Sequence, residues 1–99
     1  METAQEIVDK LSSKITKLKE AYSVNRIGLF GSFAHGAAGE NSDVDILVEL
    51  AEPSFDHYMD LKFYLEEIFA RPVDLVLADT IKPRLKSVIK QEVIYAQGL

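Results

Sequence analysis

The sequence predicts an α/β (α+β) fold, a small mixed β-sheet with helices packed on it. Three observations point there. A helical stripe of apolar residues runs up to Tyr22. Three short apolar runs of strand length follow, the first ending in a glycine. Helical stretches separate the second run from the third and follow the third. The predicted order is α-β-loop-β-α-β-α.

Thr3 and Glu6 have the spacing of a capping box, and Ile7, Val8, Leu11, Ile15, Leu18 and Tyr22 fall on one helical face. Ser12, Ser13, Lys14, Lys17 and Lys19 lie mostly off that stripe, so one helix is expected through to Tyr22. Val24 to Phe30 is an apolar run feeding Gly31, as in a buried strand that ends in a tight turn. Residues 31–42 hold three glycines and three alanines among polar residues and read as a loop, with a helical turn near Phe33–His35. Asp43 to Leu50 alternates and then becomes apolar, a second strand. Pro53 and Ser54 break the chain before a second helix, with Tyr58, Leu61, Leu65 and Ile68 on one face. Pro72 precedes a third strand, Val73 to Ala78. Thr80 to Ala96 reads as a last helix, with Pro83 tolerated in its first turn and Gly98 as its stop. Connection lengths let the first two strands lie antiparallel and the helix-linked pair parallel.

The chain's 99 residues suit one domain, 1–99, with one core. Hydrophobic residues at 47% and charged residues at 27% argue against disorder. No apolar run approaches the ~18 residues needed to cross a bilayer, so no membrane partner is expected. There is no cysteine, which excludes disulfides, thiol metal sites and cysteine nucleophiles and fits a cytoplasmic protein. Sixteen acids against 11 bases leave a net charge of −5. A free-standing binder of nucleic-acid backbone needs the opposite balance, so no direct nucleic-acid contact is expected. Acids that hold metal ions, or a basic partner, would each account for the excess.

The chemistry concentrates between Leu29 and Glu49. Asp43 and Asp45 are two apart on a predicted strand, so both leave the same face with Cα atoms ~6.5–7 Å apart. Val44, Ile46 and Val48 then point into the core. Two carboxylates held so close repel, a cost that a bound cation reverses. Oxygen ligands of this kind suit magnesium, which takes one or two carboxylates and completes its shell with water and phosphate oxygens. Gly31 ends the preceding strand, where the lack of a side chain lets backbone N–H groups approach phosphate oxygens. The Ser32 hydroxyl offers one more donor. A phosphate cradle and a carboxylate pair at the ends of neighbouring strands are what triphosphate chemistry needs.

Gly31-Ser32, ten intervening residues, and Asp43-Val44-Asp45 resemble the signature of the polymerase-β-like nucleotidyltransferase superfamily. The flanking sequence and small size are similar to its minimal branch, the MNT domains, over essentially the whole chain. The resemblance implies a nucleotidyltransferase-like fold and a third carboxylate on a later strand, matched here by Asp74 in Pro-Val-Asp-Leu-Val. It implies that Asp43, Asp45 and Asp74 are catalytic and hold Mg2+, as two ions, and that Gly31 and Ser32 bind the triphosphate of ATP. Asp74 would also act as base toward the incoming hydroxyl. MNT domains are paired with HEPN-domain toxins, so the resemblance further implies an antitoxin that transfers AMP from ATP to a tyrosine of a HEPN partner, in a homo- or hetero-oligomer. His35 departs from the family's Gly-Ser-x-Ala-Arg-Gly pattern: arginine is a permanent bidentate phosphate ligand, histidine only a partly charged one near neutrality.

Each residue also has a plainer explanation. An Asp-x-Asp pair alone is an ordinary polar strand end, and Asp74 a strand-edge carboxylate or ion-pair partner. His35 reads as a loop surface residue, His57 as solvent-exposed, Ser42 as a brace for its loop and Asp79 as a helix cap. Lys82, Arg84, Lys86 and Lys90 read as a solvated helix face. Tyr58, Phe63, Tyr64 and Phe69 give the second helix more apolar surface than one core face needs. Three functional alternatives stand beside the transferase. They are an MNT antitoxin that neutralises its HEPN toxin by binding alone, adenylyl transfer to a small hydroxylated molecule such as an aminoglycoside, and a structural protein with no nucleotide site.

Overall fold

Residues 2–98 are described by a computed structural model. The capping box forms as the sequence predicts: the Glu6 amide donates to Thr3 Oγ1 at 3.2 Å, and the Thr3 amide to Glu6 Oε1 at 3.2 Å. The expected single N-terminal helix is two, however. Helix α1 covers Ala4–Ser13 and α2 covers Ile15–Tyr22, with Lys14 between them outside helical geometry. The two serines explain the break. Ser12 Oγ donates to the Val8 carbonyl at 2.9 Å and Ser13 Oγ to the Lys10 carbonyl at 2.7 Å, competing with the helical ladder. Both halves still face the core through Ile7, Val8, Leu11 and Leu18.

Strand β1 is Val24–Phe30, followed by the short helix α3 (Gly31–Ala34) and by β2 (Val44–Leu50). Helix α4 (Phe55–Phe69) is capped by Ser54, whose side chain accepts from the His57 amide at 3.1 Å. His57 is not merely solvated, since its Nδ1 lies 2.7 Å from the Glu52 carbonyl. Strand β3 (Val73–Leu77) leads through a 3-10 turn to α5 (Pro83–Glu92).

The last helix stops four residues before the expected Ala96. Ile94–Tyr95 form instead a strand, β4, antiparallel to β1. Val93, Ile94 and Tyr95 favour an extended chain, and pairing them covers an edge that β1 would otherwise leave open. Gly28 makes room for it: a Cβ there would stand 2.7 Å from Val93 Cγ2 and 2.9 Å from the Ile94 carbonyl oxygen. Ser12 ties the same segment down by accepting from the Gln97 amide at 3.0 Å.

The sheet order is β3-β2-β1-β4, with β1–β2 antiparallel and β2–β3 parallel, the mixed arrangement predicted. One face is the core. Ile27 and Leu29 from β1, Val44, Ile46 and Val48 from β2, and Val73 and Leu75 from β3 are buried with Leu11, Leu18, Leu61 and Leu65 of α1, α2 and α4. The alternate residues of β2 and β3, Asp45, Glu49 and Asp74 among them, belong to the other face. Helix α5 borders that face, where Lys86, Ile89 and Lys90 line a hollow with Arg26, Leu47 and Glu49, and it buries no residue of its own; Leu85 is 48% and Val88 50% exposed.

Candidate active site

The site is built where β1 ends and the parallel strands begin. Phe30 is still extended, and Gly31 then turns the chain at φ +74°, a left-handed geometry that a side chain disfavours. Space forbids one as well, because a Cβ on Gly31 would overlap the Asp45 carboxylate. The glycine therefore brings the Gly31-Ser32 backbone directly against Asp45. The Ser32 N–H hydrogen-bonds that carboxylate.

Parallel pairing puts Asp45 of β2 in register with Asp74 of β3. The Asp45 carboxyl is raised above its ordinary pKa. Burial is the first cause, followed by the negative charges of Asp74 and then Asp43; the Ser32 N–H offsets part of the rise. Asp43 stands one residue before β2 and is exposed, as is Asp74, while Asp45 is half-buried. The three acids thus act on one another electrostatically, Asp45 and Asp74 side by side on paired strands and Asp43 at the rim. Among the described residues no three acids or histidines converge as a ready-made metal cage.

The loop carrying Asp43 is braced by a residue that the sequence did not single out. Arg71, in the turn before β3, donates from Nη1 to the Glu40 carbonyl at 3.1 Å and the Ser42 carbonyl at 3.0 Å. Its guanidinium also lies 5.1 Å from the Phe33 ring centre, which joins α3 to the same brace. Ser42 adds the expected loop contact, accepting from the Gly39 amide at 2.8 Å. Residues 29–31 positions apart in sequence make these contacts, so no local pattern announces them. His35 caps α3 and places Nε2 3.1 Å from Glu92 Oε1, linking the glycine turn to the end of α5. Asp79 lies in the 3-10 turn, away from the acid cluster.

A mixed sheet that presents a side-chain-free turn and strand-borne carboxylates on one open face defines the protein as nucleotidyltransferase-like. The chain belongs to the nucleotidyltransferase domain family, whose model matches residues 11–96. It is 40% identical over 96 residues to the protein adenylyltransferase MntA of Thermococcus cleftensis, covering 96% of this chain and 97% of that protein. Among solved structures, a provisionally assigned minimal nucleotidyltransferase superposes with a TM-score of 0.75 at 31% identity, covering 88% of this chain and 93% of that one. The crystal structure of a toxin–antitoxin with AMP-PNP contains a chain that matches with a TM-score of 0.71 at 27% identity, covering 89% of this chain and 73% of its own.

Proposed function

We propose that the protein is a magnesium-dependent protein adenylyltransferase that silences a HEPN-domain toxin by transferring AMP from ATP to one of its tyrosines. The observation that carries this reading is the in-register Asp45–Asp74 pair packed against the bare Gly31 turn. That arrangement costs the free protein electrostatic energy, which ligand binding can return.

The residues divide the work. Gly31 and Ser32 present backbone N–H groups and a hydroxyl to the β- and γ-phosphates. Asp74 orients the acceptor hydroxyl and takes its proton. The acceptor oxygen forms a bond to the α-phosphorus while the α–β anhydride bond breaks, and pyrophosphate leaves with the displaced electron pair. Asp43, Asp45 and Asp74 fit magnesium because it needs few protein carboxylates and completes its shell with water and phosphate oxygens. When bound, two ions would neutralise the phosphate charge that the carboxylates alone would repel. Positioning and electrostatics supply the rate, as in phosphoryl transfer generally.

Relatives support the substrate and the setting. The Thermococcus cleftensis relative is named a protein adenylyltransferase, and the toxin–antitoxin neighbour holds AMP-PNP, an ATP analogue. The HEPN class of the toxin comes from the MNT resemblance of the motif. Cytoplasmic action with no direct nucleic-acid contact accords with the absence of cysteine and the net charge of −5. No described helix is long and apolar enough to cross a membrane. A second reading, an antitoxin that acts by binding alone, is favoured by one observation: His35 stands at the family's arginine position and is engaged with Glu92.

The deciding experiment incubates the protein with Mg2+, α-labelled ATP and its HEPN partner, beside an Asp43→Ala/Asp45→Ala variant. Label on the partner that the variant fails to transfer establishes the transferase. A tight complex that blocks the nuclease without any label leaves the binding module.

A further inference from the structure

The helices on the core side of the sheet carry a second concave surface that the transferase reading does not use. Tyr22 of α2 stacks on Tyr64 of α4 with ring centres 5.2 Å apart and planes at 27°. Beside them Lys17, Asp60, Phe63 and Glu67 complete the lining of an open cleft of about 380 Å³. Asp60, Tyr64 and Glu67 share one face of α4 at helical spacing, with Phe63 next to them. Phe63 is 57% exposed, a large apolar ring at the lip of a charged hollow.

Two features fix the chemistry that fits. First, the ring faces accept cations: Lys17 Nζ lies 4.7 Å from the Tyr64 ring centre. Second, the carboxylates lack one. Among the described residues neither Asp60 nor Glu67 has a basic nitrogen within 4.0 Å. The Tyr22 phenol is raised above its ordinary pKa by burial, then by Asp60 and Glu67, consistent with a negative potential in the hollow. Asp56 extends the acidic stripe one turn further, giving a track of ~16 Å from Asp56 to Glu67 at helical rise. That length suits a peptide segment better than a small molecule, and the cleft is too open to enclose one.

We propose that this cleft docks a basic segment of a protein partner, seating an arginine on the exposed Phe63 ring with its guanidinium charge against Asp60 and Glu67. Arginine suits the site better than lysine because a planar guanidinium stacks on a ring while its edge bonds a carboxylate. This inference does not rest on catalysis and survives whether or not AMP is transferred.

The test titrates the full chain with an acetylated, amidated tetra-arginine peptide and, separately, its tetraglutamate counterpart. The chain has no tryptophan, and two of its four tyrosines form the stack, so tyrosine fluorescence follows binding. Backbone amide shifts locate the contact. The expected result is saturable binding of the arginine peptide alone, with shifts concentrated at residues 17–22 and 60–67. Asp60→Asn with Glu67→Gln should weaken it about tenfold or more, and Phe63→Ser about threefold. Shifts centred on Asp43, Asp45 and Asp74, unchanged affinity in both variants, or equal binding of tetraglutamate would each overturn the proposal.

Discussion

Replacing Asp45 by asparagine should make the free protein more stable while abolishing AMP transfer. Neighbouring strands lie ~4.8 Å apart, so the carboxylates of the in-register pair are separated by about 5 Å. Two unit charges at that distance interact by ~3 kcal/mol at an effective dielectric of ~20. Asp45 is only half-buried and Asp74 is exposed, so solvent reduces the repulsion to ~1 kcal/mol. Asparagine keeps the shape, can donate to Asp74, and removes the charge. The gain should raise Tm by ~4–8 °C at neutral pH for a domain of this size. Its pH dependence has a definite sign. Because the folded Asp45 carboxyl is raised, the native state binds its proton more tightly than the unfolded chain does. The penalty is therefore absent below the ordinary aspartate range of ~3.9 and grows as pH rises through the folded value. The variant's advantage over the native sequence should vanish near pH 3 and be full at pH 7. Calorimetry in chelator across that range, repeated with Mg2+, is the assay. Mg2+ should raise the Tm of the native sequence and leave the variant unmoved. A variant less stable than the native protein at pH 7 in chelator refutes the electrostatic account of the cluster.

Substitutions at three other positions test the site further. Gly31→Ala should lower stability by at least ~1–2 kcal/mol through its left-handed φ and displace the Asp45 carboxylate, losing transfer; calorimetry and the label assay check both. Arg71→Ala should cost ~1–2 kcal/mol and lower kcat more than it raises KM for ATP, because it frees the loop carrying Asp43. Arg71→Lys should recover little of the rate, since an ammonium lacks the planar fork. His35→Arg should tighten ATP binding by about threefold to tenfold, measured by calorimetric titration, and unchanged affinity would remove His35 from the phosphate site.

The strands and the acid-bearing face were legible because β2 announces both at once. Asp43, Val44, Asp45, Ile46 and Val48 alternate with the period of a pleat, and the structure buries Val44, Ile46 and Val48 and leaves the acids on the other side. The pairing of Asp45 with Asp74 was legible only through family resemblance, because register between strands joined by a whole helix has no local signature. The break at Lys14 escaped because apolar periodicity continues through Ile15 and Leu18, whereas the serine back-bonds that interrupt the ladder are conformational. Strand β4 escaped for the opposite reason. Val93 and Ile94 extend the apolar character of α5, and only their docking on Gly28 settles them as extended chain. Arg71 gave no signal, since its partners are carbonyl groups, which every residue has.

The register of β2 is where stability and chemistry meet. A slip of one residue would turn Val44, Ile46 and Val48 to the open face and Asp45 into the core. The fold therefore has to pin that strand at both ends. At its start the Val44 amide donates to the Pro72 carbonyl at 3.0 Å, and just past its end the Ala51 amide donates to the Ser23 carbonyl at 2.7 Å. Ser23 is held at φ 59°, and β1 absorbs a pairing irregularity between Val24 and Arg26 close by. Strain and irregularity thus sit at the end of β1 remote from the carboxylates. The end that carries Gly31, Asp45 and Asp74 keeps unbroken pairing from Ile27 through Phe30. The buried face of β2 supplies the apolar free energy that holds the acids together against their repulsion, which is why the same alternation that builds the core also places the acids.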